Sequence, residues 1–257
     1  MINLVKAELY RLFHRKFLYI FWSILIALAF VNSAFATSGL DTVLSLAKAL
    51  VVLPVFLWPL LTDIITAEEY KYNTYINTVT YGVTKIQYYL TKALISSILV
   101  IITAFLTVLA LCVGASLTYG NLFGDEFFIN FVLSILAALP LYIASAIFSV
   151  ILVLLIKKGS QASFAYWGII MFSYIINYVQ LSGGSKAGFL VKSLITTQLI
   201  NLIGKVRMVE MRSLFISIDT AGGGMVGTAD MLTAAMTGIA HILVLLTVGI
   251  LLNRKWK

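Results

Sequence analysis

Residues 124–159 read GDEFFINFVLSILAALPLYIASAIFSVILVLLIKKG. No charged side chain lies between Glu126 and Lys157, and the run exceeds the ~20 residues a helix needs to cross a bilayer. One end is acidic, with Asp125 and Glu126, and the other is basic, with Lys157 and Lys158. Basic residues beside a span stay in the cytoplasm, so the Lys157 end is expected inside.

Working outward, the rest of the chain has the same character. Of 257 residues, 61% are apolar and 11% are charged, against about 25% charged in a soluble domain. Lipid must solvate much of such a surface. The net charge of +8 sits mainly in short clusters beside apolar runs, which points to membrane orientation. No basic stripe interleaved with aromatics supports nucleic-acid binding. The single cysteine, Cys112, excludes an intrachain disulfide and a thiolate metal cluster.

Uncharged windows cover residues 17–40, 49–62, 93–124, 127–156, 159–185 and 231–253. Five reach spanning length; the second holds only 14 residues and spans only if Val43 to Ala47 join it and Lys48 snorkels to the headgroups. The first follows a basic start, as a signal peptide does, yet its length suits a retained span better than a shorter h-region. Lys6, Arg11, Arg15 and Lys16 precede the first window, and Arg254, Lys255 and Lys257 follow the last. Both termini are therefore expected in the cytoplasm, which requires an even number of crossings. The expected fold is an all-α membrane protein forming one domain, with transmembrane helices at 17–36, 43–65, 93–118, 129–156, 162–180 and 231–252. The outer loop, 181–230, carries Lys186, Lys192, Lys205, Arg207 and Arg212 against this rule, but long loops translocate largely regardless of charge.

Residues 1–16 place Ile2, Val5, Leu9 and Leu12 on one helical stripe, with Arg11 and Arg15 opposite. This suits an interfacial amphipathic helix, or equally an orientation signal continuous with the first span. In the outer loop, Ile195, Leu199, Leu202, Val206 and Val209 predict an amphipathic helix, chiefly for interfacial packing. In the inner loop, Glu68 and Glu69 suit the start of a helix over 66–80, and Tyr72, Tyr75, Ile76 and Val79 form one aromatic and apolar face before Gly82. That face reads equally as a docking surface for a soluble partner or as a self-packed loop.

Catalysis has little support. His14 and His241 are far apart, and Gly183-Gly184-Ser185-Lys186 lacks the phosphate-loop spacing. His241 inside the last span reads as a packed or hydrogen-bonded histidine. Within the second span Pro54 and Pro59 can bend the helix and free backbone carbonyls near Trp58. Tyr166, Trp167, Tyr174, Asn177 and Tyr178 make the fifth span polar and aromatic. Such residues suit a cavity for an amphipathic substrate, or the aromatic belt in the case of Tyr178.

Two places give the chain a family resemblance. Lys6, Glu8, Leu9, Arg15 and Lys16 resemble the opening of permease subunits of type-2 ABC exporters, a basic amphipathic helix with an early glutamate. Glu68 or Glu69, Thr74, Gly82 and Lys92 resemble that family's first cytoplasmic loop, although Lys85 stands where an arginine is usual. The resemblance implies that residues 68–80 are the coupling helix seated on a cytoplasmic ATPase, with Glu68, Glu69, Tyr72, Thr74, Tyr75, Ile76 and Val79 at the contact. It implies a permease dimer in a bacterial cytoplasmic membrane, with ATP and magnesium bound by the partner ATPase and no cofactor in this chain. Its second and fifth spans would line the path, through Pro54, Trp58, Tyr166, Trp167, Tyr174 and Asn177. The expected cargo is an amphipathic, antimicrobial or toxin peptide. The alternatives are a lipid or hydrophobic drug, or a channel or structural subunit without ATP coupling.

Overall fold

The computed structural model describes residues 2–34, 53–72, 74–80, 82–120, 126–182, 192–203, 207–208, 218–219 and 226–255. The helices are α1 (Ile2–Phe13), α2 (Lys16–Ala34), α3 (Leu53–Thr62), α4 (Glu68–Lys71), α5 (Thr74–Thr80), α6 (Lys85–Tyr119), α7 (Glu126–Ile156), α8 (Gly159–Ser182), α9 (Ile195–Ile203) and α10 (Thr228–Lys255). A π-helical turn, Asp63–Ala67, joins α3 to α4. The non-helical pairing is slight: β1 (Arg207–Met208) lies antiparallel to β2 (Ile218–Asp219).

Among the described residues, three helices are long and apolar enough to cross a membrane: Lys85–Thr118, Phe128–Ile156 and Thr228–Arg254. A fourth is added if α1 and α2, bent by 66° at their junction, count as one span. The bend is stabilised by the Tyr19 hydroxyl, which donates to the Phe13 carbonyl across it at 2.6 Å. A 10-residue α3 is shorter than the expected span 43–65, whose first part lies outside the described residues.

Several helices overrun their uncharged windows. α6 begins at Lys85 because a reciprocal cap precedes it: Thr84 Oγ1 accepts from the Gln87 amide, and Gln87 Oε1 accepts from the Thr84 amide. Charge therefore marks where lipid ends, not where the helix ends. The inner-loop helix expected over 66–80 is divided into the π-helical turn, α4 and α5. Thr74, Thr78, Val79 and Thr80 are β-branched and hold a long helix weakly. The outer-loop helix expected to reach Val209 ends at Ile203, where Gly204 follows in the sequence, and Arg207 and Met208 are extended.

The helices meet through small residues and short polar ties, as membrane packing requires. α7 is central, with α10 lying most closely along it and α3, α6 and α8 around it. Trp22 Nε1 donates to Thr103 Oγ1 at 3.0 Å, joining α2 to α6, and Tyr89 Oη donates to the Leu245 carbonyl at 3.1 Å, joining α6 to α10. Pro59 has no amide hydrogen, so the Val55 carbonyl four residues earlier loses its helical donor. The Tyr166 hydroxyl takes that place at 2.8 Å, and Trp167 Nε1 donates to the neighbouring Phe56 carbonyl at 2.8 Å. A proline that would leave a bare carbonyl thus locks α3 to α8.

Two stability tests follow from these contacts. A Cβ on Gly238 would lie 2.7 Å from the Leu141 amide nitrogen and from Pro140 Cβ. Gly238→Ala should therefore cost about 1–3 kcal/mol by forcing α10 off α7, read as thermal unfolding in detergent. Gly168→Ala, whose Cβ would meet nothing within 4 Å, is the neutral control. Tyr166→Phe should cost about 1–3 kcal/mol through the orphaned carbonyl. In a Pro59→Ala background, which restores a backbone donor, that cost should shrink.

Candidate functional site

Glu8 and Arg11 lie three residues apart on α1 and share a face. Tyr88 and Lys92 lie four apart on α6 and share another. The two faces converge on Glu69 at the start of α4. Lys92 is 0% exposed and Glu69 is 3% exposed, so both charges are out of water and need partners.

They have them. Lys92 Nζ donates to Glu69 Oε1 at 2.6 Å, to Glu8 Oε2 at 2.9 Å and to the Ile65 carbonyl at 3.0 Å. An ammonium has three donors, and all three are used. The Ile65 carbonyl comes from the π-helical turn, whose altered register presents it to the side chain. Arg11 Nη2 donates to Glu8 Oε2 at 2.6 Å and also to Glu69 Oε1. The Tyr88 hydroxyl donates to Glu69 Oε2 at 2.5 Å, and its ring lies 5.1 Å from the Lys92 nitrogen. Two carboxylates and two cations cancel, giving a neutral knot among α1, the π-helical turn, α4 and α6.

Burial acts most strongly on Glu69 and by itself would raise its pKa. The Lys92 charge, the hydrogen bonds from Lys92 and Tyr88, and the Arg11 charge together outweigh it and hold the pKa below its ordinary 4.5. An aromatic column adjoins the knot. The Tyr70 and Tyr75 rings lie 4.9 Å apart, and Tyr75 meets Tyr88 edge-on at 4.9 Å. Burial, followed by the neighbouring Tyr75 and Glu69 groups, raises the Tyr70 hydroxyl, and burial raises that of Tyr75, so both remain protonated donors at neutral pH.

The residues expected to contact a partner separate into two groups. Glu69 faces inward, and Tyr75 is half-buried against Tyr88. Tyr72 is 65% exposed, and Thr74 is also exposed. Glu68, Ile76 and Val79 lie in α4 and α5, with side chains outside the described residues. Of the expected path residues, Trp58 and Tyr166 are buried within the chain, Trp167 is tied to α3, and the Tyr174 ring meets Phe56 at 6.5 Å. These four close α8 onto α3. Pro54 and Asn177 belong to α3 and α8, and their side chains also lie outside the described residues. His241 Nδ1 donates to the Thr237 carbonyl at 2.8 Å, one turn earlier in its own helix.

Glu8, Arg11, Glu69 and Lys92 each stood out in the sequence for a separate reason, but their meeting did not. Tyr88 carried no signal, and Arg11 read as part of the polar face of an amphipathic helix. No protein-family model matches this sequence, and no curated protein does.

Removing one member of a buried ion pair typically costs about 3–5 kcal/mol. Lys92→Met and Glu69→Met should each be that destabilising. The double variant should cost less than their sum, because it leaves the Glu8–Arg11 pair at 2.6 Å. Thermal unfolding of all four proteins measures this coupling. The pH dependence has a definite sign. Because the folded-state pKa of Glu69 is lowered, its contribution is complete above the ordinary 4.5 and is lost as pH falls through the lower folded value. The unfolding midpoint should therefore be insensitive to Glu69 from neutral pH down to about 4.5, and Glu69→Gln should remove the acid-induced loss below it.

Proposed function

We propose that the chain is the transmembrane subunit of an ATP-driven exporter of the type-2 ABC class, moving amphipathic peptides outward by alternating access. In this reading α2, α3, α6, α7, α8 and α10 make six crossings. Both termini and the Asp63–Lys92 connection face the cytoplasm, as the lysine and arginine bias favours. A second permease copy completes the path, and a separate subunit binds ATP and magnesium.

The observation that carries the reading is the knot around Lys92. A coupling element must pass a push from a soluble motor to the spans without yielding. Here the loop helices are tied through Glu69 by two ion pairs, to the amphipathic α1 and to α6, and a third joins α1 to α6. Displacing α4 therefore displaces the base of α6. The exposed Tyr72 adjoins this rigid base and offers a contact for a motor subunit. ATP moves such a device only if the motor binds one of its two arrangements more tightly.

One observation favours a different reading. The aromatic residues expected along a path instead hold α8 to α3, as they would in a structural subunit without ATP coupling. A lipid or hydrophobic drug is the other cargo consistent with the exporter reading.

Charge reversal at Glu69 would break the knot itself and would not separate docking from unfolding. Tyr72→Asp changes the exposed surface alone. The wild-type chain, purified from its own cells in mild detergent, should bring with it an ATP-hydrolysing subunit whose activity rises with amphipathic cationic peptides. Tyr72→Asp should weaken that association at least tenfold with no change in unfolding midpoint. An intact wild-type protein that carries no ATPase activity would sink the exporter reading and leave the structural one.

A further inference from the structure

The knot fastens one side of the π-helical turn. On the other side, Asp63 and Ala67, the first and last residues of that turn, close on Gly159, the first residue of α8. A Cβ on Gly159 would fall on the Asp63 carboxylate and lie 2.7 Å from Ala67 Cβ. Only a residue without a side chain lets the turn approach this closely. Ala67 extends the contact. It packs with Val153 near the end of α7 and Ala162 in the first turn of α8, with Tyr70, Leu152 and Ile156 around them.

Charge supports the same contact. The first turn of α8 has no acidic residue of its own, and Lys157 and Lys158 come just before it. Cations are unfavourable at the positive end of a helix, and a carboxylate there is stabilising. Asp63, half-buried, supplies that carboxylate from another segment. Farther along α8, the Tyr166 hydroxyl and Trp167 Nε1 reach the Val55 and Phe56 carbonyls. Val55 precedes Asp63 and Tyr166 follows Gly159, so α8 runs antiparallel to α3 and the turn and is fastened to them at both ends.

We propose that Asp63 is a positioning residue that fastens α8 to the π-helical turn, so that α4 and α8 move as one body. The same turn presents the Ile65 carbonyl to Lys92, so it grips α6 by one side and α8 by the other. A push on α4 then reaches α8, and through it α3, as well as α6. That use of the link rests on the exporter reading; the link itself needs no motor.

Pulsed electron paramagnetic resonance on the full-length chain in lipid nanodiscs measures the link without an ATPase. In a Cys112→Ala background, spin labels are placed at Lys71→Cys in α4 and Phe172→Cys in α8, both exposed positions. A second pair, Lys71→Cys with Ile101→Cys on the exposed side of α6, reports the knot. Each pair should give one narrow distance distribution. Asp63→Ala should widen the 71–172 distribution at least twofold and leave the 71–101 distribution narrow, because Glu69 and Lys92 still hold α4 to α6. Gly159→Ala should have the same effect by steric exclusion. A 71–172 distribution that stays narrow in either variant overturns the link. Widening of both pairs would mean that Asp63 folds the loop and does not specifically fasten α8, which overturns it as well. None of these outcomes depends on an ATPase, so the link and the exporter reading fail separately.

Discussion

A lysine ammonium with no access to water organises the base of this protein. Lys92 can stay charged there only if every donor is met and an equal negative charge is close, and both conditions are satisfied by groups from outside its own helix. Glu8 comes from the first helix, Glu69 from α4, and the Ile65 carbonyl from an irregular turn. Burial of one cation thereby dictates where three other segments must lie. A methionine in that position would relax the electrostatic demand but also the reason for α1 and α4 to be where they are. Such specificity is worth its desolvation cost when the position of a segment matters more than the total stability.

The same logic operates in the buried interior of the bundle, with backbone groups in place of charges. Water is not available to an orphaned carbonyl there, so every departure from regular helix must be answered locally. Pro59 creates such a departure, and Tyr166 answers it. Glycine performs the complementary task by leaving room: α10 approaches Pro140 on α7 where Gly238 has no side chain. Apolar area contributes little to choosing one helix neighbour over another in lipid. Orphaned polar groups and missing side chains contribute much of that choice.

The helices of this fold were legible as uncharged windows because lipid excludes charge along a whole segment. Helix ends were less so, because a cap such as Thr84 with Gln87 extends α6 into water where hydropathy has no further say. The Thr-x-x-Gln signature was present in the sequence and would have placed that start correctly. The inner loop was misjudged as one helix: its β-branched residues and the inward pull on Glu69 divide it. Of the charge knot, Glu8, Arg11, Glu69 and Lys92 were visible one at a time. The pairing of Glu8 with Lys92 was not, since residues 84 apart leave no local pattern of their association. Only a family resemblance had drawn attention to both.

That separation bears on how the chain is made. During synthesis α1 emerges first, carrying Glu8 and Arg11; the Glu69 partner of Arg11 is 58 residues away and the Lys92 partner of Glu8 is 84 away. At ribosomal speeds the interval is on the order of ten seconds. Throughout it Glu8 has only Arg11, three residues on, to offset its charge. Only when α6 arrives can Lys92 leave water, because only then are its counterions assembled around it. The knot is therefore a long-range closure: the base of α6 is fixed only once the start of the chain and the loop helices have both met it.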